Sequence, residues 1–136
     1  MREETNGIFG DVIFTYSRAQ AIEDGVLIDI TTDASKAGFK IPVAVTDTVW
    51  NKYIAWTDKD TQQQTIQHLD GRLWDVLSML RFAITKAQNS ACVFYKLNVV
   101  PRDGKSNKAK LTQLKAVIGA GDNGEAVITI MLPNED

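Results

Sequence analysis

The residue types best suited to chemistry in this sequence are concentrated in one segment, residues 67–77 (QHLDGRLWDVL). This segment contains the only histidine of the chain, His68, together with Arg72 and Asp75. An imidazole titrates near neutral pH and can act as a general base, and a guanidinium can stabilise an oxyanion or a phosphorane. If a helix begins before His68, the three side chains fall on one helical face, at spacings of four and three residues. That arrangement predicts His68, Arg72 and Asp75 as the catalytic residues of an RNA-cleaving enzyme.

The same segment also has a purely structural interpretation. Asp70 is a suitable N-cap for a helix that begins at Gly71, which would leave His68 outside the helix and Arg72 and Asp75 on its surface. From Gly71 onward, apolar residues recur at helical spacing and predict the central core helix of the fold. Those residues are Leu73, Trp74, Val76, Leu77, Leu80, Phe82 and Ile84.

A second candidate site is the basic stretch at residues 101–110 (PRDGKSNKAK), which has four basic side chains and one acidic side chain. Between two predicted strands it forms a mobile basic loop, a shape suited to contact with phosphates. It contains no aromatic residue on which bases could stack, and a solvated hairpin loop has the same composition. Nucleic-acid binding is therefore one of two interpretations, and it would use Arg102, Lys105, Lys108 and Lys110.

Aromatic residues offer a third candidate. Trp50, Tyr53 and Trp74 are assigned mostly to packing between two helices. Trp56 adjoins the polar stretch 57–65 (TDKDTQQQT), which is typical of an exposed connector or a frayed helix end. We therefore expect Trp56 to be exposed, where it could anchor a binding partner.

Two features that could carry chemistry, a glycine-rich motif and the single cysteine, are better explained as structural. Residues 119–124 (GAGDNG) match the GxGxxG dinucleotide-binding pattern, but the β-branched run 127–130 follows them where that pattern requires a helix. We therefore predict a hairpin loop whose glycines supply positive φ angles. Cys92 begins an apolar strand and is predicted to be a buried structural thiol. Since the chain has one histidine, one cysteine and no CxxC or HxxxH spacing, no metal and no other cofactor is predicted.

The composition is that of an ordinary globular domain, with 136 residues, 44% hydrophobic and 24% charged. We expect one α+β domain over residues 1–136, with a polar leader at residues 1–10. The net charge of -2 gives no global attraction to nucleic acid or to an anionic membrane. The sequence has no secretory signal at its start and no apolar stretch near the roughly 18 residues of a membrane span. A cytoplasmic protein without membrane association is the expectation.

The periodicity predicts an antiparallel sheet of four to five strands with two main helices and one or two short helices against it. The predicted strands cover residues 12–16, 26–30 and a C-terminal three-stranded meander at 92–100, 111–118 and 127–132. Residues 39–45 are predicted to be an extended piece with one buried face. The main helices follow Thr46 or Asp47 and begin at Gly71. A short helix follows Ser17, which forms a capping box with Gln20, and ends at Gly25.

Several stretches of the chain are distinctive when taken together. They are residues 16–21 (YSRAQA), 24–29 (DGVLID), 38–39 with 42–46 (GF and PVAVT), 71–77 (GRLWDVL) and 127–133 (VITIMLP). Through them, nearly the whole chain resembles a family of small uncharacterised bacterial proteins, a domain of unknown function met on plasmids, phages and other mobile elements. The resemblance carries no established activity or catalytic residues. It implies a mobile-element context, in which defence interference, regulation of transfer and toxin chemistry are all plausible.

A helix followed by an antiparallel sheet is also similar, in architecture only, to microbial ribonuclease toxins. Three functions follow from the sequence. The leading hypothesis is a non-enzymatic binding protein of a mobile element, whose partner is an unknown protein or nucleic acid. The alternatives are an RNA-cleaving enzyme, with His68 as base and Arg72 as anion stabiliser, and nucleic-acid binding through residues 101–110.

Overall fold

The computed structural model describes residues 16–87 and 89–136. The predicted polar leader at residues 1–10 lies outside this range, as does nearly all of the strand predicted at 12–16. The described helices are α1 (Arg18–Glu23), α2 (Thr31–Lys36), α3 (Asp47–Val49, continued by a π-helical segment Trp50–Ile54), α4 (Asp58–Gln63) and α5 (Leu69–Ala87). The strands are β1 (Leu27–Asp29), β2 (Val43–Thr46), β3 (Cys92–Val99), β4 (Lys110–Ala120) and β5 (Ala126–Met131).

The strands form one five-stranded sheet in the order β1, β2, β5, β4, β3. The α+β class and the C-terminal meander are confirmed, because β3, β4 and β5 pair antiparallel in sequence order. The prediction of a purely antiparallel sheet is wrong, since β2 and β5 pair in parallel, with Val43 beside Ile128 and Val45 beside Ile130. The last strand of the meander lies against β2, so one parallel contact joins the antiparallel pair β1–β2 to the three-stranded antiparallel meander.

Helix α5 packs across one face of the sheet and closes the core. Its Val76, Leu77 and Leu80 are fully buried, as are Leu114 and Ile130 on the sheet beneath. Both faces of β2 are buried, which explains its nearly continuous apolar sequence. The predicted core helix is therefore present and central.

Capping residues determine where the short helices α1 and α4 begin and end. The Ser17 hydroxyl accepts a hydrogen bond from the backbone N–H of Gln20, and Gly25 ends α1 with a φ of 78°. Most of the polar stretch 57–65 is not an irregular connector but the capped helix α4, because Thr57 and Asp60 form a capping box around its start.

Candidate functional site

Helix α5 begins at Leu69, so the segment 67–77, which contains the predicted catalytic residues, spans the start of this helix. The carbonyl oxygen of His68 accepts the backbone N–H of Arg72 at 3.1 Å, which is a helical i to i−4 hydrogen bond. Asp70 therefore lies within the first turn, and the prediction that it is the N-cap is wrong. The helix continues two residues upstream of Gly71 because those residues already take part in its hydrogen-bond pattern.

The three predicted catalytic residues do not share one environment. His68 and Asp75 are exposed, whereas Arg72 is only 3% exposed and points into the interior. No hydrogen bond found among residues 16–87 and 89–136 joins any two of these three side chains. The structure does not bring them together in a cleft, and a catalytic role for them stays a prediction.

The Arg72 guanidinium is engaged by the protein's own groups. Its Nε donates to the carbonyl oxygen of Ile54 at 3.0 Å, and its Nη1 donates to that of Val100 at 2.8 Å and to Oε1 of Gln67 at 3.3 Å. Its Nη2 is buried without an acceptor among the described residues. Removal from water, the main cause, lowers the pKa of Arg72 to about 10. This side chain is a structural cross-link between three segments of the chain.

Trp56 is 8% exposed, so the prediction that it is an exposed anchor is wrong. Its indole Nε1 donates to the Thr61 hydroxyl at 3.0 Å, and the Arg72 guanidinium lies over its ring. The physical reason is α4: once the stretch after Trp56 coils into a helix, Thr61 comes back over the indole. Sequence periodicity has no means of detecting that fold-back.

The predicted basic loop does connect two antiparallel strands, β3 and β4. It is fastened to α4 through the Gln64 amide, which donates to the carbonyl oxygens of Pro101 at 2.8 Å and Ser106 at 2.7 Å. The same amide accepts the backbone N–H of Gly104 at 3.0 Å. The loop is thus held in one shape over much of its length. Its exposed cations are Lys105, Lys108 and Lys110.

Arg102, the fourth predicted cation of this loop, is already paired. Its Nε lies 2.8 Å from Oδ2 of Asp60, which is 7% exposed. Burial of the Asp60 carboxylate disfavours its charged form, but hydrogen bonds from Arg102 and from Thr57 outweigh this and leave the pKa of Asp60 lowered. Binding of a phosphate by Arg102 would compete with this ion pair.

The loop that matches GxGxxG is a hairpin turn between β4 and β5, as predicted. Gly124 has a φ of 80°, and its N–H donates to the carbonyl oxygen of Gly121 at 3.0 Å. The Asp122 carboxylate accepts the backbone N–H groups of Arg18 at 2.8 Å and Ala19 at 3.0 Å. The loop therefore caps α1 and leaves those two N–H groups satisfied by the protein.

Cys92 is exposed, so the prediction of a buried thiol is wrong. The burial along β3 alternates, with Val93, Tyr95, Leu97 and Val99 facing the core. Cys92 has the opposite parity and therefore lies on the outer face of the strand. The apolar composition of the strand does not reveal which of its two faces is buried.

Large apolar side chains are exposed on α5 and on β3. The exposed fractions are 52% for Trp74, 57% for Phe82, 39% for Met79 and 49% for Phe94. The sequence assigned Trp74 and Phe82 to the core, and that prediction is wrong because the buried stripe of α5 is narrower than its apolar composition. The rest of that stripe is buried or, for Ile84, half-buried.

Trp74 and Phe82 line a shallow groove of about 420 Å³ on the outer side of α5. We call it the Trp74–Phe82 groove; its lining is Lys36, Ala37, Gly38, Trp74, Ser78, Arg81, Phe82 and Thr85. The floor beside Arg81 is the backbone of Gly38, where an added Cβ would lie 2.7 Å from the guanidinium. The Nη1 of Arg81 also donates to the carbonyl oxygen of Ala37 at 3.3 Å.

The charged side chains that line this groove, Lys36 and Arg81, are both cations. Lys86 lies further along the helix, with its Nζ 4.6 Å from the centroid of the Phe82 ring. The groove therefore combines two exposed aromatic rings with positive charge. The sequence contains a signal that the two rings lie together, because Trp74 and Phe82 are eight residues apart and so lie near one face of a helix.

A larger cavity of about 780 Å³ lies between α1, the Gly121–Glu125 turn and the C-terminal residues. Several of its polar groups already have partners in the protein. The Arg18 guanidinium donates to the Thr129 hydroxyl at 2.7 Å, and the Glu135 carboxylate accepts from the Thr46 hydroxyl at 2.9 Å. These contacts fix α1 and the segment that follows β5 to the sheet.

Within the described residues, no group of three or more histidine, cysteine, aspartate or glutamate side chains is placed to hold a metal ion. None of the described helices combines the length and the apolarity needed to cross a bilayer.

The fold and the grooves define an α+β protein with a mixed five-stranded sheet, a central helix and an exposed aromatic surface on that helix. A family model described as "Family of unknown function (DUF6573)" matches residues 6–136, and the chain belongs to that family. The comparison with curated proteins and the comparison with solved structures gave no match.

Proposed function

We propose that this chain is a non-enzymatic binding protein of a mobile genetic element and that it binds a protein partner in the Trp74–Phe82 groove. The observation that carries the proposal is the exposure of two large aromatic side chains, 52% and 57%, on one side of the longest helix. Tryptophan and other large aromatic residues contribute most of the binding energy in many protein interfaces. Water contact at two such rings is costly unless a partner covers them.

The charges around the groove indicate the chemistry of the partner. Lys36 and Arg81 line it, and Lys86 flanks Phe82. A partner segment with apolar side chains between aspartate or glutamate residues complements both the rings and the cations. A basic segment, including a basic nucleic-acid-binding tail, would meet like charge.

The fixed position of Arg81 supports a preformed site. Its guanidinium rests on Gly38, where the absence of a Cβ leaves room for it, and it donates to the Ala37 carbonyl oxygen. A charged group held in place before binding loses less conformational entropy on association than a free one.

The enzymatic alternative has less support from the geometry. It would require His68 to act with Arg72, whose guanidinium is buried and satisfied largely by backbone carbonyls. The nucleic-acid alternative retains Lys105, Lys108 and Lys110, which are exposed, whereas Arg102 is paired with Asp60.

The test uses the purified chain and an array of immobilised peptides of about 15 residues, in which Leu, Phe and Trp alternate with Asp and Glu, or with Lys and Arg. We expect binding to acidic peptides, with Kd raised at least about tenfold by Trp74→Ala and by Arg81→Glu. The matched control is Leu111→Ala, which removes a 66% exposed apolar side chain elsewhere and should leave Kd unchanged. Equal binding of basic peptides, no binding of acidic ones, or indifference to Trp74→Ala would contradict the proposal.

The mobile-element context rests on the resemblance alone, and the DNA that flanks the gene tests it. Neighbouring genes for transfer, replication or integration support this context. A location among chromosomal housekeeping genes contradicts it.

A further inference from the structure

The Trp74–Phe82 groove adjoins a second, smaller groove that lies toward the start of α5. This second groove has a volume of about 280 Å³. We call it the Asp70 groove; its lining is Asp33, Lys36, Asp70, Leu73, Trp74 and Leu77. Lys36 and Trp74 line both grooves. The two grooves therefore form one furrow between α2 and α5, with Trp74 near its middle.

The residues that α5 contributes to this furrow fall on one side of the helix. They recur at spacings of three and four residues, from Asp70 at one end to Thr85 at the other. Since a helix rises about 1.5 Å per residue, the furrow is about 22 Å long. That length accommodates about seven residues of extended chain. A partner segment of ordinary length that covers Trp74 and Phe82 therefore also reaches the Asp70 end.

The charges along the furrow change sign from one end to the other. At the start of α5 the lining has two carboxylates, Asp33 and Asp70, with Lys36 beside them. At the other end the charged lining residue is Arg81, and Lys86 follows further along the helix. Asp70 and Arg81 are exposed, and Asp33 is half-buried. A segment with acidic residues at both ends would meet attraction beside Arg81 and repulsion beside Asp70.

We infer that the partner segment bound in this furrow is bipolar, with an acidic residue beside Arg81, apolar side chains at its centre and a lysine or arginine beside Asp70. The inference rests on the proposed function, because it specifies the partner of the same groove. Trp74 and Asp70 are four residues apart on one helical face. The aliphatic stem and cationic head of one long side chain can therefore pack on the Trp74 ring and reach the Asp70 carboxylate.

Opposite charges at the two ends also set the direction in which the segment lies. The reversed placement would bring its acid against Asp70 and its base against Arg81. Each end of the furrow thus disfavours the wrong direction as well as favouring the right one, which is a common source of specificity.

The test compares two peptides that share one apolar centre of Leu, Phe and Trp. The bipolar peptide has Asp at one end and Lys at the other and is made in both chain directions, whereas the acid-ended peptide has Asp at both ends. Fluorescence anisotropy measures their binding to the full chain at low salt. We expect the bipolar peptide, in its better direction, to have a Kd at least about fivefold lower than the acid-ended peptide. The difference should shrink at high salt.

Reversing the charge of Asp70 tests which end of the furrow selects the base. Asp70→Lys should make the acid-ended peptide the tighter ligand, because it repels the Lys end of one peptide and attracts an Asp end of the other. The matched control is Glu23→Lys, which makes the same change of charge at an exposed residue of α1 outside the furrow and should leave the preference unchanged. Equal Kd values for the two peptides, or a preference unaltered by Asp70→Lys, would overturn this inference. The proposed function would stand in that case if Trp74→Ala still weakened both peptides.

Other outcomes concern the occupant of the furrow. No binding of either peptide, or binding that is indifferent to Trp74→Ala, would overturn the proposed function and this inference together. Displacement of the bipolar peptide by a peptide of residues 1–15 would assign the furrow to the chain's own start. A dimer that Trp74→Ala dissociates would assign it to a second copy. Either of these two results would contradict a separate bipolar partner.

Discussion

The guanidinium carbon of Arg72 lies 4.4 Å from the centroid of the Trp56 ring, in the interior of the protein. The same guanidinium donates hydrogen bonds to the carbonyl oxygens of Ile54, just before Trp56, and of Val100, just after β3. Two residues that the sequence suggested for catalysis and for partner binding thus stabilise each other. They join the start of α5 to the segments on either side of it.

Replacement of Arg72 by methionine should lower the free energy of unfolding by about 3 kcal/mol, since it leaves two buried carbonyl oxygens without donors. Arg72→Lys should fall between the wild type and Arg72→Met, because an ammonium keeps the charge but not the planar fork of donors. Urea unfolding at pH 7 measures both. Arg81→Met is the control, and its effect should be small because Arg81 is exposed. Equal losses for Arg72→Met and Arg81→Met would show that Arg72 is not a structural cross-link.

His68 provides the sharpest test of the enzymatic alternative. If the chain is a binding protein, purified wild type and His68→Ala should be equally inactive toward single-stranded and structured RNA, and equally stable, because His68 is exposed. The measurement is gel analysis of labelled RNA after long incubation. RNA cleavage by the wild type that is abolished by His68→Ala would establish the enzyme and rule out the proposed function as the sole activity.

The ion pair between Asp60 and Arg102 predicts a dependence of stability on pH. The pKa of Asp60 is lowered from its ordinary value of 3.8 in the folded protein, so its stabilising effect is complete above pH 3.8 and is lost as pH falls through the folded value. Asp60→Asn should cost about 1–3 kcal/mol at pH 7, and the gap to wild type should close as the solution is made more acidic than pH 3.8. Urea unfolding as a function of pH measures the gap. Asp58→Asn, which removes an exposed carboxylate from the same turn of α4, is the matched control. A gap between Asp60→Asn and wild type that is constant with pH would contradict the assignment.

Local signals in the sequence predicted those parts of the fold that depend on neighbouring residues. The Ser17 cap and the stop at Gly25 are of this kind, and so is the existence of β3, although not which of its faces is buried. The parallel pairing of β2 with β5 is not, because it joins Val43 to Ile128 across most of the chain and no short pattern encodes it.

The candidate site shows the same division between local and distant information. Helical spacing placed Trp74 and Phe82 on α5 correctly, but the width of the buried stripe depends on what packs against the helix. Trp56 is buried because α4 folds back over it, which the polar sequence after it does not indicate. Trp56 was expected to be exposed and is buried, whereas Trp74 was expected to be buried and is exposed. Both differences are caused by tertiary packing.

Gly38 should resist substitution mainly because of its backbone conformation, and an added Cβ would also displace the flexible end of the Arg81 side chain. Its φ is 99°, in the region that favours glycine, and an added Cβ would meet the Arg81 guanidinium. We expect Gly38→Ala to lower the free energy of unfolding by about 1–2 kcal/mol and to weaken binding in the Trp74–Phe82 groove by displacing Arg81. Adding Arg81→Ala to Gly38→Ala should relieve the contact but not the backbone strain. A stability of Gly38→Ala equal to wild type would contradict the backbone effect.

The Asp122 carboxylate should control the local stability of α1, because it accepts the backbone N–H groups of Arg18 and Ala19. These are the first two residues of the helix, whose N–H groups have no partner within it. The hydrogen bonds from Ala19 and then Arg18 lower the pKa of Asp122, so its charged form is the one that caps the helix. Asp122→Ala should therefore accelerate hydrogen exchange at both amides.

Amide exchange by NMR measures this effect residue by residue. Amides in the β4–β5 ladder, such as those of Ala116 and Ile130, should keep their protection, since Asp122 lies in the turn beyond them. Asn123→Ala, the adjacent residue of the same turn, is the matched control and should leave Arg18 and Ala19 unchanged. If the two substitutions accelerate exchange equally, α1 is held by the shape of the turn and not by the Asp122 carboxylate.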